Sequence, residues 1–169
     1  MLLLDIDIAA PWPPQTDWAD LAERAAKAAT HEAPELANPR LSASLLFAAD
    51  AEVHTLNQQW RAKDQPTNVL SFPMMERAQL LDLSRDGAPE LLGDIALALE
   101  TCAREAADKG VTLEDHAAHL IVHGLLHLAG HDHETSPADA AVMEALEINA
   151  LARMGIADPY GDAAGNQDT

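Results

Sequence analysis

The sequence predicts a single α/β (or α+β) domain in which a small mixed sheet is packed with helices. The chain has 169 residues, and domains usually contain about 100–200. Apolar residues make up 48% and aromatic residues only 4%, so the core must be largely aliphatic. Segments with strand-type alternation are interspersed with segments of helical spacing. We place the domain at residues 1–157 and expect the small, polar tail 158–169 to be disordered.

Strands are predicted where short apolar segments are bounded by proline, glycine or polar residues. In the first of them, Leu2, Leu4, Ile6 and Ile8 share one face. Between the third and fourth strands, residues 74–90 combine many charges with a Gly-Ala-Pro sequence and are predicted to form an irregular surface segment. The predicted strands are residues 2–8, 41–48, 68–72 and 93–97.

Helices are predicted between and after the strands, from apolar residues at helical spacing and from capping residues. Thr16 or Asp17 can cap the first helix, Asp50 the second and Thr112 the fourth. Ser136, which is followed by proline, can open the last helix. The predicted helices are residues 17–29, 50–60, 99–109, 112–129 and 137–155.

Charge and cysteine content limit the cellular setting. The chain has 10 Lys and Arg against 28 Asp and Glu, a formal charge of −18, so a polyanionic substrate would need a local basic patch or a metal ion. The single cysteine, Cys102, excludes a disulfide scaffold and favours a reducing compartment. No apolar segment approaches the roughly 18 residues of a membrane span, and the first residues lack the basic region of a signal peptide. We therefore expect a cytoplasmic protein with no membrane contact.

Histidines are concentrated in one part of the chain, where six of the eight lie within residues 116–133. On a helix, His123 and His127 are one turn apart, about 6 Å along the axis, so both imidazoles can face one zinc ion. His116 and His119 are expected to lie on the helix face or behind the ligands. The pattern predicts a zinc site at the C-terminal end of this long helix.

A third ligand must come from beyond the helix, because the next histidine on the same face of a straight helix would be out of reach. Gly130 provides a break after which the chain can turn back. His133 then lies on the returning segment, and His131 is its rival for the third position. Asp132 could coordinate the ion or accept a hydrogen bond from a ligand imidazole.

The spacing His-x3-His-x2-Gly-x2-His is that of the metzincin metalloproteases, with one difference. Gly124 stands where those enzymes carry the catalytic glutamate. A zinc ion held by three histidines still has an open position at which water is bound and its pKa lowered to about 7. The missing carboxylate favours a substrate that is already negatively charged, such as a phosphodiester. A metallopeptidase-like hydrolase, in which Asp132 or an outside carboxylate replaces the glutamate, is the alternative.

Three segments together resemble one known family. Residues 123–133 closely resemble the signature H-G-x-L-H-L-x-G-Y-D-H of the YbeY family of endoribonucleases, with His131 in place of the tyrosine. Residues 57–73 resemble the segment N-x-x-[aromatic]-R-x-x-D-x-P-T-[DN]-V-L-S-F-P of that family, and residues 92–95 form the third match. The motifs occur in the expected order and span nearly half of the chain.

The resemblance implies one zinc ion per chain, held by His123, His127 and His133, and metal-dependent cleavage of single-stranded RNA in maturation of small-subunit ribosomal RNA and in ribosome quality control. The small subunit is the implied partner. The functional arginine of the family falls on Arg61, so Arg61 and His127 are the implied catalytic residues. Independently, Arg61 and Lys63 form a basic pair in a predicted loop, where a guanidinium could bind a phosphate bidentately. The remaining alternative is a non-enzymatic ribosome-assembly factor with a structural zinc.

Overall fold

A computed structural model describes residues 2–61, 67–132 and 134–161 of the chain. These residues form a mixed α/β fold with one four-stranded sheet, six α-helices and a short 3-10 helix at Pro34–Ala37. The strands are β1 (Leu3–Ile8), β2 (Leu41–Ala48), β3 (Val69–Pro73) and β4 (Glu90–Ala98). The helices are α1 (Trp18–Glu32), α2 (Asp50–Arg61), α3 (Arg77–Asp82), α4 (Leu99–Lys109), α5 (Leu113–Leu128) and α6 (Pro137–Arg153).

The sheet has the strand order β1-β2-β4-β3. The first three of these strands are parallel, and β3 pairs antiparallel with β4. In that pair Ser71 is opposite Ile95, and residues directly opposite each other point to the same face of a sheet. The register therefore places the Ser71 hydroxyl on the face that Ile95 uses.

The two faces of the sheet are covered unequally. The larger apolar core lies on one face and includes residues of α1, α5 and α6, and α5 contacts α1, α4, α6, β3 and β4. A smaller cluster on the other face joins Val53 of α2 to Leu70 and Ala96 of the sheet. Helix α5, which carries the histidine region, is thus the central helix of the main core.

The predicted mixed sheet and its strands are confirmed, and β2 has the predicted bounds. The structure selects Asp17 over Thr16 as the cap of α1, because the Asp17 carboxylate accepts a hydrogen bond from the Asp20 amide at 3.0 Å. Thr112 and Ser136 cap α5 and α6 as expected, since each hydroxyl accepts from the amide three residues on.

Two predictions are wrong. Residues 74–90 are not irregular throughout, because they contain α3, which begins with a capping box between Glu76 and Gln79 and buries Leu80. Asp50 does not cap α2 but is its first helical residue. Its carboxylate instead accepts hydrogen bonds from the amide and hydroxyl of Thr101 at 2.9 and 2.7 Å, which joins the starts of α2 and α4.

The C-terminal segment is described as far as Gly161. Residues 158–161, which we assigned to the tail, form a turn in which the Tyr160 amide bonds to Asp158 at 2.8 Å. Residues 162–169 lie outside the described part, so the predicted disorder there stays a prediction. Among the helices of the described ranges, none combines the length and the hydrophobicity needed to cross a membrane.

Candidate metal centre

The end of α5 is fixed by a tight turn. The helix ends at Leu128, and Gly130 follows with φ of +99°, a conformation that favours glycine. A Cβ at this position would lie 2.5 Å from the Cβ of Arg77. The Arg77 guanidinium donates to the Ala129 carbonyl at 2.7 Å and to Glu35 at 2.9 Å, so α3 holds the point at which the chain leaves the helix.

His127 is held by the sheet. The Ser71 hydroxyl of β3 lies within hydrogen-bond distance of the Nδ1 atom of His127. This contact follows from the strand register, because Ser71 and its partner Ile95 both face α5. The hydroxyl fixes the plane of the imidazole and occupies the nitrogen nearer to the backbone.

His123 is held by the last helix. Its Nδ1 atom lies 2.7 Å from Oε2 of Glu147 on α6. Burial of Glu147 would by itself raise the pKa of the carboxyl, but hydrogen bonds from His119, His123 and Tyr160, together with the charge interaction with His123, lower it to about 2. Glu147 is therefore an ionised carboxylate that accepts from the Nδ1 atom of His123.

The two rings are donors of the kind that zinc binds. The contacts of His123 with Glu147 and of His127 with Ser71 both involve Nδ1, and we expect Nε2 to be the nitrogen that would face a metal. Carboxylate or hydroxyl partners on the other nitrogen are the usual support of zinc-bound imidazoles. Within the described ranges no three His, Cys, Asp or Glu side chains form a metal-binding group, and the third predicted ligand, His133, lies outside them. The described pair fits zinc as two of its three predicted ligands.

The contacts of His131 and Asp132, the two other predicted site residues of the loop, include those with Glu35 and Glu134. His131 directs Nε2 toward Glu35 at 3.9 Å, and burial followed by the neighbouring Arg77 lowers its pKa. Asp132 accepts a hydrogen bond from the Glu134 amide at 2.8 Å. Their proposed roles as alternative ligand or imidazole partner stay predictions.

An open cleft of about 520 Å³ lies beside His127. Its lining includes His127, His131, Asp132 and Arg77. Lys63 and the side chain of Arg61 lie outside the described part of the structure, although Arg61 itself is the last residue of α2. The cleft gives a substrate access to the C-terminal end of α5.

Gly124 faces the sheet and not the cleft. A Cβ at this position would lie 3.0 Å from Cδ1 and 3.3 Å from Cγ1 of Ile95. A glutamate at position 124 would therefore need Ile95 to move and would point toward β4. A carboxylate could therefore not be presented from this position as it is in the metzincins, so the metallopeptidase alternative needs the carboxylate of Asp132 or of a residue outside this segment.

Sequence reasoning missed Ser71 and Glu147 as functional residues. Ser71 lies within the second family-like segment, but its alignment with His127 depends on strand register. Glu147 carried a readable signal, because it occupies the apolar stripe of α6 together with Met143, Ala150 and Leu151. A charged residue in a buried stripe requires a partner.

The fold and the paired imidazoles define a mixed α/β protein with a candidate metal centre at the end of its central helix. Residues 11–155 match the family model described as Endoribonuclease YbeY. The Endoribonuclease YbeY of Erythrobacter litoralis is 62% identical over 151 residues, which cover 89% of this chain and 93% of the relative. That of Novosphingobium aromaticivorans is 59% identical over 159 residues, covering 94% and 95%. The chain belongs to the YbeY endoribonuclease family.

A solved structure supports the fold. The solution structure of TM1509 from Thermotoga maritima matches with a TM-score of 0.57 and 21% sequence identity, over 100% of this chain and 99% of that one. At this identity the likeness concerns the mixed α/β fold alone.

Proposed function

We propose that this chain is a zinc-dependent endoribonuclease that cleaves single-stranded RNA and acts in small-subunit ribosomal RNA maturation and ribosome quality control. Its partners in this role are the RNA and the small ribosomal subunit, and its setting is the cytoplasm. Membership of the YbeY family supports the nuclease activity, and the names of its relatives agree with it.

One observation carries the metal dependence. His123 and His127 lie one turn apart on α5, and each is held by Nδ1 against a partner from a different element, Glu147 of α6 and Ser71 of β3. Packing alone does not require two histidines on one helix face to have the same orientation. His133 completes the proposed ligand set in preference to His131, which turns its Nε2 toward Glu35.

The chemistry divides between the ion and the chain. When bound, zinc supplies a Lewis acid for a phosphate oxygen and lowers the pKa of bound water to about 7. His123, His127 and His133 hold the ion and leave one position open to the cleft. The cleft accepts the RNA backbone. Because the phosphodiester itself is negatively charged, the reaction does not require the carboxylate that metzincins carry next to their ligands.

Arg61 is proposed to bind the scissile phosphate and to stabilise the charge that develops during cleavage. Lys63 adds a second cation for the neighbouring backbone. The formal charge of −18 restricts RNA contact to such local basic groups, because the remaining surface repels a polyanion. Binding should therefore be short in extent and sensitive to salt.

Cleavage of a labelled single-stranded RNA tests this function. The zinc-loaded protein should cleave it, a chelator should abolish cleavage, and Arg61→Ala should reduce the rate by about 100-fold or more, since the loss of one charge-stabilising group commonly costs 10²–10³-fold. Arg85→Ala, which removes an exposed arginine between α3 and β4, is the matched control and should cleave normally.

Three outcomes would contradict the proposal. Cleavage that persists in both the chelated protein and the Arg61 variant would remove its chemical basis. Hydrolysis of a peptide library without cleavage of RNA would favour the metallopeptidase. Correction of a ribosome-assembly defect by a variant that binds zinc but cannot cleave RNA would favour the non-enzymatic assembly factor.

A further inference from the structure

Glu147 receives hydrogen-bond partners on both carboxylate oxygens. Oε2 lies 2.7 Å from Nδ1 of His123, while Oε1 lies 2.8 Å from Nε2 of His119 and accepts from the Tyr160 hydroxyl. The carboxylate is 1% exposed. We refer to Glu147, His119, His123 and Tyr160 as the Glu147 junction.

The junction connects three parts of the chain. His119 and His123 lie on successive turns of α5, Glu147 on α6, and Tyr160 in the turn that follows α6. The Tyr160 ring also packs edge-on against the His119 ring, with centroids 5.4 Å apart. An apolar contact would suffice to hold the turn, so the hydroxyl placed on the buried carboxylate needs a separate reason.

We propose that Glu147 is the positioning residue of the metal centre, and that Tyr160 and His119 hold its carboxylate so that His123 stays protonated at Nδ1 and presents Nε2 to the metal. This inference rests on the proposed zinc dependence. The turn after α6 would then contribute to the metal site, although Tyr160 is 37 residues away from His123 in sequence.

The donor count explains why a carboxylate is needed. All three partners can donate, and an ionised carboxylate accepts on both oxygens. Within the described structure Nδ1 of the buried His119 has no hydrogen-bond partner, which fits a ring protonated at Nε2, because a buried N–H without an acceptor would be costly. A neutral amide in place of Glu147 has one accepting oxygen and one donating nitrogen, so it cannot accept on both sides.

Glu147→Gln therefore makes a specific change at His123. If the amide oxygen keeps His119 and Tyr160, the amide nitrogen faces Nδ1 of His123 and forces the proton onto Nε2, the nitrogen needed by the metal. Zinc affinity should fall by about 10–100-fold, as is typical when an outer partner of a metal-bound histidine is lost. Tyr160→Phe leaves both histidines on the carboxylate and should cost less than about tenfold.

Glu105→Gln is the matched control, because Glu105 of α4 also bonds to a histidine of α5. Glu105 accepts from His116 Nε2 at 2.8 Å and from the Asn68 amide at 2.9 Å, both on Oε1. A glutamine oxygen can keep both bonds, so zinc affinity should equal that of the wild type. The comparison separates loss of a carboxylate charge beside α5 from loss of control over His123.

The experiment measures two quantities. Competition with a chromophoric chelator gives the affinity for Zn²⁺ alone, without RNA. Two-bond ¹H–¹⁵N correlation spectra of the metal-free protein at about pH 8, where imidazoles are neutral, give the tautomer of His123. We expect Nδ1–H in the wild type, Nε2–H in Glu147→Gln, and the stated order of zinc affinities.

The outcomes distinguish this inference from the proposed function. A wild type that binds no zinc would overturn the proposed function. A wild type that binds zinc but has His123 protonated at Nε2, or a Glu147→Gln protein of unchanged affinity, would overturn the positioning role alone. Should Glu147→Gln not fold, the wild-type tautomer and the Tyr160→Phe affinity decide the question, and wild-type affinity in Tyr160→Phe with Nε2–H at His123 would refute it.

Discussion

Two of the histidine–carboxylate pairs of helix α5, one near each end, differ in the imidazole nitrogen that bonds to the carboxylate. Near its start, His116 bonds to Glu105 of α4 through Nε2 at 2.8 Å, and its side chain is 2% exposed. Near its end, His123 bonds to Glu147 through Nδ1 at 2.7 Å, and its side chain is 22% exposed. The bond lengths are alike, but the rings are oriented in opposite senses.

The difference shows how one interaction serves two purposes. A ring bonded through Nε2, the nitrogen far from the backbone, ends at its partner and joins two helices. A ring bonded through Nδ1 points its outer nitrogen away from the partner, where it can serve as a ligand. We infer that the pair at the start of α5 is structural and that the pair at its end prepares the proposed metal site.

The largest expected effect comes from removing a proposed metal ligand, compared with replacing the structural histidine at the other end of the helix. His127→Ala removes a predicted ligand and should lower zinc affinity and RNA cleavage by more than about 100-fold. His116→Gln, whose amide can still donate to Glu105, should retain both. Chelator competition and RNA cleavage on the same preparations provide the measurement. Equal losses in the two variants would show that the ends of α5 do not differ in function.

A smaller effect is expected from the hydroxyl that orients His127. Ser71→Ala removes this partner and should lower zinc affinity by about tenfold while leaving the fold intact. Ser44→Ala, on the neighbouring part of the sheet, is the control, because Ser44 lines a groove on the other face. Chelator titration compares the two variants, and unchanged affinity in Ser71→Ala would mean that the hydroxyl does not support the ligand.

The smallest effect is a change in pH dependence at the structural pair. Burial lowers the pKa of His116 from its ordinary value of 6.5, although its bond to Glu105 opposes the shift. As pH falls below 6.5, His116 is protonated in the unfolded chain but stays neutral in the folded protein, which favours unfolding. The contribution of neutral His116 to the free energy of unfolding is therefore present above that pH and is lost below it. In His116→Gln, the free energy of unfolding should fall less steeply as pH decreases.

Urea unfolding between about pH 7 and pH 5 measures this slope. His31→Gln, at an exposed position of α1, controls for the loss of a histidine from the chain. A decline of the same steepness in the wild type and in His116→Gln would refute the stated sign.

Periodicity and spacing were sufficient to predict most of the fold and the placement of His123 and His127 one turn apart on one helix. Strand β2 has its predicted bounds because its alternation is regular, and His123 and His127 follow from the pitch of a helix. Helix α3 was missed because it has only six residues and depends on the Glu76–Gln79 capping box within a charged segment.

The support of the site could not be predicted for a different reason. Ser71 and Glu147 are distant in sequence from the histidines that they orient, by 56 and 24 residues. A local pattern does not state which strand register or which helix packing brings them together. Glu147 could have been suspected from its place in an apolar stripe, but its partner could not be named.

Anomalous diffraction at the zinc edge, from crystals of the zinc-loaded protein, tests the central claim most directly. We expect one zinc site at the C-terminal end of α5, bound through Nε2 of His123 and His127 and by a third histidine, His133. A zinc site elsewhere in the fold, or zinc bound through Nδ1 of either helical histidine, would contradict it.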